Sequence, residues 1–377
     1  MGSNPLQRLT ALGQSVWYDF IRRDLYQSGE LARLIREDGL AGMTSNPTIF
    51  QKAIADSKLY DDDIRRLAAE GKEPSEIFEG LAVRDVQAAA DVFRPVYEAS
   101  GGNDGFVSIE VQPGLARNTE GTIEEARRLW TRCDRPNVMV KIPGTREGLP
   151  AIRACLAAGI NINITLLFSV ERHRQVIEAY LAAIEDRVAK GLPIGTIRSV
   201  ASFFVSRVDT NADKKLDAVI RSGAAREQAL ARQWRGKLGI ANARIAYEAF
   251  EEAFGSDRAG ALCARGAAVQ RPLWASTSTK DPAYPDLYYV EALIAPDSVD
   301  TMPPETLEAY RDHGDPRVRI RDDRAGAHEV FRALAGLAID TAAIFQELED
   351  EGIRKFSDSF GALLAAVAEK EKAVRVA

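Results

Sequence analysis

Two periods of apolar residues organise the middle of this chain. Val138, Met139, Val140 and Ile142 form a short apolar run between polar segments, which predicts a buried strand. Ile160–Ile164 and Ile197–Ser202 read the same way. Helical spacing fills the gaps. Thr122–Glu125 has the capping-box pattern, and Ile123, Ala126, Leu129 and Trp130 follow on one helical face. Pro150 and Gly159 bracket a second helix. Ser169 can cap a third, whose apolar stripe is Val176, Ile177, Tyr180, Leu181, Ile184 and Val188, ended by Gly191 and Pro193. Strand–helix–strand–helix–strand with short connections is the signature of parallel βα units.

Weaker runs at Ser15–Asp19, Leu40–Thr44, Phe106–Val111, Leu273–Ser276 and Tyr289–Ile294 bring the predicted strands to eight. Eight strands with helical crossovers fit a (β/α)8 TIM barrel with additional helices. The alternative is an open doubly wound sheet, but its GxGxxG fingerprint after the first strand is absent. The expectation is one barrel domain over residues 1–377. Helical insertions are predicted at about 58–99 and 208–268, with a helical tail from Gly326. Within that tail Ala333–Phe345 reads as a buried helix, and the charged end Glu369–Arg375 is expected to fray.

Composition narrows the function. The chain has 377 residues, 46% hydrophobic and 28% charged, with a net charge of −6 and no basic block. This argues against a nucleic-acid surface while leaving room for phosphate ligands, which need only a few local cations and amides. Cys133, Cys155 and Cys263 are scattered and odd in number, which suits thiols in a reducing cytoplasm. The N-terminal segment is interrupted early by Arg8, Asp19, Arg22, Arg23 and Asp24, so no signal core is read there, and no apolar run is long enough to span a bilayer. His173, His313 and His328 lack metal-ligand spacing, and Asp61–Asp63 reads as a solvated charge run.

One residue breaks the strand pattern. Lys141 stands inside the Val138–Ile142 run, where a lysine needs a reason. A desolvated amine loses its proton more easily, and a neutral amine can attack a carbonyl to form a Schiff base. Other predicted strands also end in polar groups: Asp19, then Thr44-Ser45-Asn46-Pro47, Glu110, Asn161 with Asn163 and Thr165, Ser202, and Ser276 through Lys280. Singly each has an ordinary structural reading. Ser45, Asn46 and Asp19 could be helix caps, Glu110 a solvated strand residue, and Asn161 with Asn163 a polar barrel layer. Together they converge, because strand C-terminal ends meet on one face of a βα barrel. A lysine ringed by carboxylates and hydroxyls suits class I aldol chemistry, in which the iminium is the electron sink and a carboxylate takes the β-hydroxyl proton.

These segments resemble transaldolase, the Schiff-base enzyme of the non-oxidative pentose phosphate pathway. The matching pieces are Thr44–Phe50, Ser108–Val111, Val140-Lys141-Ile142-Pro143, Asn161–Ser169, Ser202–Arg207 and the closing Gly352–Phe360. The insertion before strand seven and the Tyr288–Ile294 segment resemble the longer, bacterial-type branch. The resemblance implies a Schiff base on Lys141, Asp19 as acid/base, and Glu110 with Thr165 holding the catalytic water. It implies that Asn46 and Asn163 bind the dihydroxyacetone part, with Ser202 and Phe204 nearby, and that Arg207 binds the sugar phosphate. Many relatives carry an arginine after strand seven; Ala275–Lys280 has none, so Lys280 and Ser276 stand in for it. The implied reaction transfers dihydroxyacetone from fructose 6-phosphate or sedoheptulose 7-phosphate to glyceraldehyde 3-phosphate or erythrose 4-phosphate, with no cofactor and no metal. The implied partners are phosphorylated sugars, not nucleic acid or membrane. Two other readings use the same residues: a fructose-6-phosphate-aldolase-like enzyme releasing free dihydroxyacetone, and a non-catalytic barrel that binds sugar phosphates.

Overall fold

A computed structural model of the protein describes residues 4–376. Eight parallel strands close into a barrel in chain order: β1 Gln14–Asp19, β2 Gly42–Thr44, β3 Phe106–Glu110, β4 Val138–Pro143, β5 Ile162–Leu167, β6 Ser199–Phe204, β7 Arg271–Ala275 and β8 Ser298–Met302. The barrel closes through β1–β8 pairing, with Trp17 opposite Thr301.

The period of two along each strand sorts the side chains. Val16, Val107, Val140, Ile162, Ala201 and Trp274 face outward into the main core with the surrounding helices. Trp17, Phe106, Met139, Val200, Leu273 and Val299 belong to a second buried cluster that fills the barrel interior. The Trp17 and Phe106 rings lie 6.4 Å apart. Gly42 sits beside Trp17, and a Cβ built there would lie 2.5 Å from the indole. Two residues further along each strand the interior turns polar: Asp19, Thr44, Ser108, Lys141, Ser202 and Thr301 follow Trp17, Gly42, Phe106, Met139, Val200 and Val299 on the same strand faces, staggered from strand to strand. The packed lower barrel is thus the floor of a polar chamber.

The last predicted strand is misplaced. Tyr288–Ala292 is a short helix, and Ser298–Met302 forms β8. Tyr289, Val290, Leu293 and Ile294 bury a helical face, while β8 hides a buried Asp300 on its outer side. The Asp300 carboxyl accepts a 2.9 Å hydrogen bond from Thr277, and burial pushes it up to about 7. A carboxylic acid in a short segment masks the strand pattern until its partner is visible.

Four smaller expectations also change. Thr122 is inside its helix, which begins at Thr119 and is capped by Asn118; the Thr122 hydroxyl donates to the Leu115 carbonyl. Ala333–Phe345 is not one helix. One helix, Arg324–Gly336, ends within it, Ala338 takes a positive φ, and Asp340 caps the next helix, Thr341–Val376. Asp63 is not solvated but buried against Arg23 and Arg84. The Glu369–Arg375 segment stays helical, and Lys370 is tied to the Ser57 carbonyl and Asp61.

The C-terminal helix Thr341–Val376 lies across the barrel mouth. Thr48 donates to Ser359 at 2.8 Å, and Phe360 meets Phe78 edge to face. Gly352 packs on Leu166, where a Cβ would approach to 2.9 Å. Leu166 itself has φ 58° at a register shift in β5, a bulge that turns it to the mouth. Gly42→Ala should destabilise the protein by about 1–3 kcal/mol, because overpacking the barrel floor forces Trp17 to move. Urea unfolding measures this; an unchanged midpoint would mean that the floor has slack.

Candidate active site

Lys141 comes from β4, and its ammonium lies in the polar layer above Met139 with 5% of the residue exposed. Its Nζ donates to the Ser45 carbonyl at 3.1 Å and stands 3.5 Å from a Glu110 carboxylate oxygen. The Phe356 ring of the C-terminal helix lies over it, 6.0 Å to the centroid. Ser45 is held in turn, its hydroxyl donating to the Ser108 carbonyl. A buried cation needs such partners to remain folded.

Two buried carboxyl groups feel the charge of the amine, in different settings. Asp19 ends β1 and accepts a 2.6 Å hydrogen bond from Thr44, which also meets Thr301 at 2.7 Å. Burial raises the Asp19 carboxyl above its ordinary range, against the lowering pull of Lys141 and Thr44. Burial also pushes Glu110 up to about 6, with Lys141 opposing. The Glu110 oxygen facing Lys141 makes that ion pair and no shorter hydrogen bond, and the buried Thr165 hydroxyl from β5 has no hydrogen-bond partner. Glu110, Lys141 and Asn163 are neighbours across β3, β4 and β5, with Thr165 two residues beyond Asn163.

A cavity of about 610 Å³ opens above this layer. Of the sequence-predicted residues, Lys141, Asp19, Asn46, Thr165, Ser202, Phe204, Arg207, Ser276 and Lys280 line it. Asn46 lines it and also caps the helix Pro47–Ala55, accepting from the Ile49 amide. Glu110 and Asn163 do not line it. Glu110 faces a small internal space of about 30 Å³ behind Ser45. Asn163 is fully buried, donating to Ser108 and accepting from Ser202 at 2.7 Å, so it reaches the cavity only through Ser202. Asn161 lies before β5 and donates to the Pro136 carbonyl, away from the mouth.

The outer wall is cationic. Arg207 begins the helix Ser206–Ser222, with its guanidinium 5.3 Å from the Phe204 ring centre, and burial draws it below its ordinary value. Lys280 donates to Ser278 at 2.7 Å. Ser276 has φ 57°, and its hydroxyl meets Ser206, joining the Arg207 helix to the loop after β7. Sequence reasoning missed Lys52 and Arg22, which also line the cavity, as do Thr301 and Phe356. The Lys52 side chain makes no hydrogen bond or salt bridge among the described residues. Only Phe356 had a signal in the sequence, because it sits within Gly352–Phe360.

This arrangement can hold an anion at the rim and a carbonyl over a buried amine, with the Asp19 carboxyl in the cavity lining and Glu110 beside the amine. Glu110 should therefore titrate near pH 6, above the ordinary glutamate value. Lys141→Met should move that titration higher still, because the lost positive charge had favoured the carboxylate. Carboxyl-carbon NMR reads both; a Glu110 titration unmoved by the substitution would separate the two groups electrostatically.

Comparison with known proteins agrees over nearly the whole chain. The model of the transaldolase/fructose-6-phosphate aldolase family matches residues 16–367. A transaldolase of Acidothermus cellulolyticus is 50% identical over 366 residues, 97% of this chain and 96% of the relative. One from Frankia alni is 48% identical over 369 residues, 98% of each chain. Transaldolase 2 of a Nostoc species is 46% identical over 376 residues, 99% of each.

Proposed function

From the membership of this chain in the transaldolase/fructose-6-phosphate aldolase family, we propose that it moves a dihydroxyacetone unit between phosphorylated sugars through a Schiff base on Lys141. It is a transferase of the non-oxidative pentose phosphate pathway. The donors are fructose 6-phosphate and sedoheptulose 7-phosphate; the acceptors are glyceraldehyde 3-phosphate and erythrose 4-phosphate. The observation that carries the residue-level reading is a buried amine on the cavity floor, paired with Glu110 and sharing the cavity lining with Asp19.

The chemistry follows from that geometry. The Lys141 amine attacks the donor ketone at C2, and loss of water from the carbinolamine leaves an iminium. The iminium accepts the electron pair of the C3–C4 bond as Asp19 takes the C4 hydroxyl proton, and the aldehyde departs. The enamine then adds to the acceptor aldehyde, the proton returns, and water releases the product from the lysine. Glu110 and Thr165 handle that water; the Glu110 carboxyl beside Lys141 and the unpartnered Thr165 hydroxyl in the cavity lining support the assignment. Asn46 and Ser202 hold the three-carbon unit, with Asn163 orienting Ser202 from behind. Phe204 packs beside the Arg207 guanidinium, and Arg207 binds the phosphate with Lys280 and Ser276.

Borohydride should trap fructose 6-phosphate as one covalent adduct on the wild-type chain and none on Lys141→Ala, read by mass spectrometry. An adduct on the alanine variant would move the nucleophile elsewhere. A non-catalytic sugar-phosphate-binding barrel would bind the sugar without any adduct. A hydrolytic aldolase of the same family would release dihydroxyacetone with or without erythrose 4-phosphate; the names of the relatives favour transfer, which consumes the acceptor. For the phosphate, Arg207→Ala and Lys280→Ala should each raise KM roughly ten- to a hundredfold with a smaller change in kcat, the loss expected for a charge-assisted contact. Unchanged KM in both variants would relocate the phosphate.

A further inference from the structure

A long helical connection joins β6 to β7, and the chemistry of the proposed reaction uses only its first turn, at Arg207. Further on, Asp209, Asp213 and Asp217 recur every four residues along the helix Ser206–Ser222 and share one face. Asp209 and Asp213 are buried. Asp209 accepts from the Gly239 amide at 2.7 Å and from the Tyr289 hydroxyl at 3.0 Å. Asp213 accepts from the Gly236 amide at 2.8 Å and from the Tyr284 hydroxyl at 3.0 Å. Asp217 takes two N–H groups of Arg235, at 2.8 and 3.3 Å.

These partners come from two places: the turn between the helices Ala225–Trp234 and Leu238–Phe254, and the segment after β7. Arg235 joins them. Its remaining terminal nitrogen donates to Asp281 at 3.0 Å and to the Tyr284 hydroxyl at 3.2 Å. Gly236, at φ 68°, lets the turn pass against Tyr284; a Cβ there would lie 2.5 Å from the phenol ring. Tyr284 stacks on Tyr288 with ring centres 5.3 Å apart, and Tyr288 donates to the Gly236 carbonyl at 3.0 Å.

Lys280 immediately precedes Asp281, in a loop, residues 276–287, that forms neither helix nor strand. The loop is fastened at its start by Ser276 to Ser206 and by Thr277 to Asp300, and near its end Asp286 meets His313. Lys280 itself is exposed, and its ammonium donates only to Ser278 among the described residues. Arg235 grips the next residue from a guanidinium fixed on the helix that begins with Arg207. We propose that Arg235 is a positioning residue for phosphate binding: by bridging Asp217 to Asp281 it holds Lys280 at the rim of the cavity that Arg207 also lines. This role rests on the phosphate site assigned to Lys280 and Arg207 above. Arginine suits it because a planar fork can hold one carboxylate with two N–H groups and offer a third to another, which a lysine ammonium cannot match. A loop fixed before the substrate arrives has less ordering to lose on binding.

Steady-state kinetics of the full chain with fructose 6-phosphate, at saturating erythrose 4-phosphate, test this. Arg235→Ala should raise the KM for fructose 6-phosphate about three- to tenfold, the size of a partly exposed charged contact, with kcat held within about twofold. Arg235→Lys should recover part of the loss. Asp281→Asn, which can keep its turn hydrogen bond from the Ala283 amide, should reproduce the loss without disturbing the fold. Dihydroxyacetone has the ketone and no phosphate, so its half-saturating concentration in borohydride trapping should not move in Arg235→Ala. In a Lys280→Ala background Arg235→Ala should add less than about twofold, because it acts through that lysine. Unchanged KM in Arg235→Ala, where Lys280→Ala alone raises it, overturns the positioning role and leaves the phosphate site standing. Unchanged KM in Lys280→Ala overturns the phosphate reading of that lysine and this role with it. Weakened dihydroxyacetone trapping that matches the rise in KM, or full additivity of the two substitutions, would make Arg235 a general support of the fold and overturn the role.

Discussion

A lysine buried at the centre of a barrel imposes its needs on everything around it. Its ammonium must be paired or solvated, and here water is largely excluded. Glu110 at 3.5 Å, the Ser45 carbonyl at 3.1 Å and the Phe356 ring supply the surroundings instead. Removing one partner of such a buried pair commonly costs about 3–5 kcal/mol, because the other charge is left uncompensated. The pair is tolerated because the layer beneath it is rigid. Trp17, Phe106 and Met139 fill the barrel below, and Gly42 makes room for the indole. The apolar floor provides the low dielectric that raises Glu110 and Asp19, and the polar layer above it supplies Asp19 with the Thr44 hydrogen bond and Glu110 with its ion pair to Lys141.

The C-terminal helix completes the chamber from outside the barrel. It brings Phe356 over the amine and is pinned by contacts near both ends: Arg117 with Asp350 at one end and Lys370 with Ser57 and Asp61 at the other. Its Gly352 accepts the strained Leu166 of β5, next to Thr165. Chain length beyond a minimal barrel is therefore not incidental to the site.

Much of this was legible in the residues. The alternation within Val138–Ile142 puts Lys141 and Met139 on one strand face, and the polar ends of seven strands point to polar groups converging on one face of a barrel. The eighth strand was not legible. Ser298–Met302 carries Ser298, Asp300 and Thr301, each hydrogen-bonded to a partner distant in sequence or to a local carbonyl, and a pattern search sees only polarity. Tyr288–Ala292 misled in the opposite direction, because aromatic and β-branched residues favour strands until a helical face finds its core. Thr122 looked like a cap because its spacing to Glu125 was right, but Asn118 closed the helix one turn earlier. Asn163 reads as a substrate ligand in the sequence and lies behind Ser202 in the fold.

Local chemistry along the chain thus determined the fold class and which residue types crowd the strand ends, since strand period and turn residues act over a few positions. The tertiary structure decided which of them share a cavity. Lys52 and Arg22 enter it from helical segments with no distinguishing pattern, and Phe356 arrives from more than two hundred residues beyond Lys141. It also decided the states of Asp19 and Glu110, because desolvation is a property of the closed barrel and not of any segment of the chain.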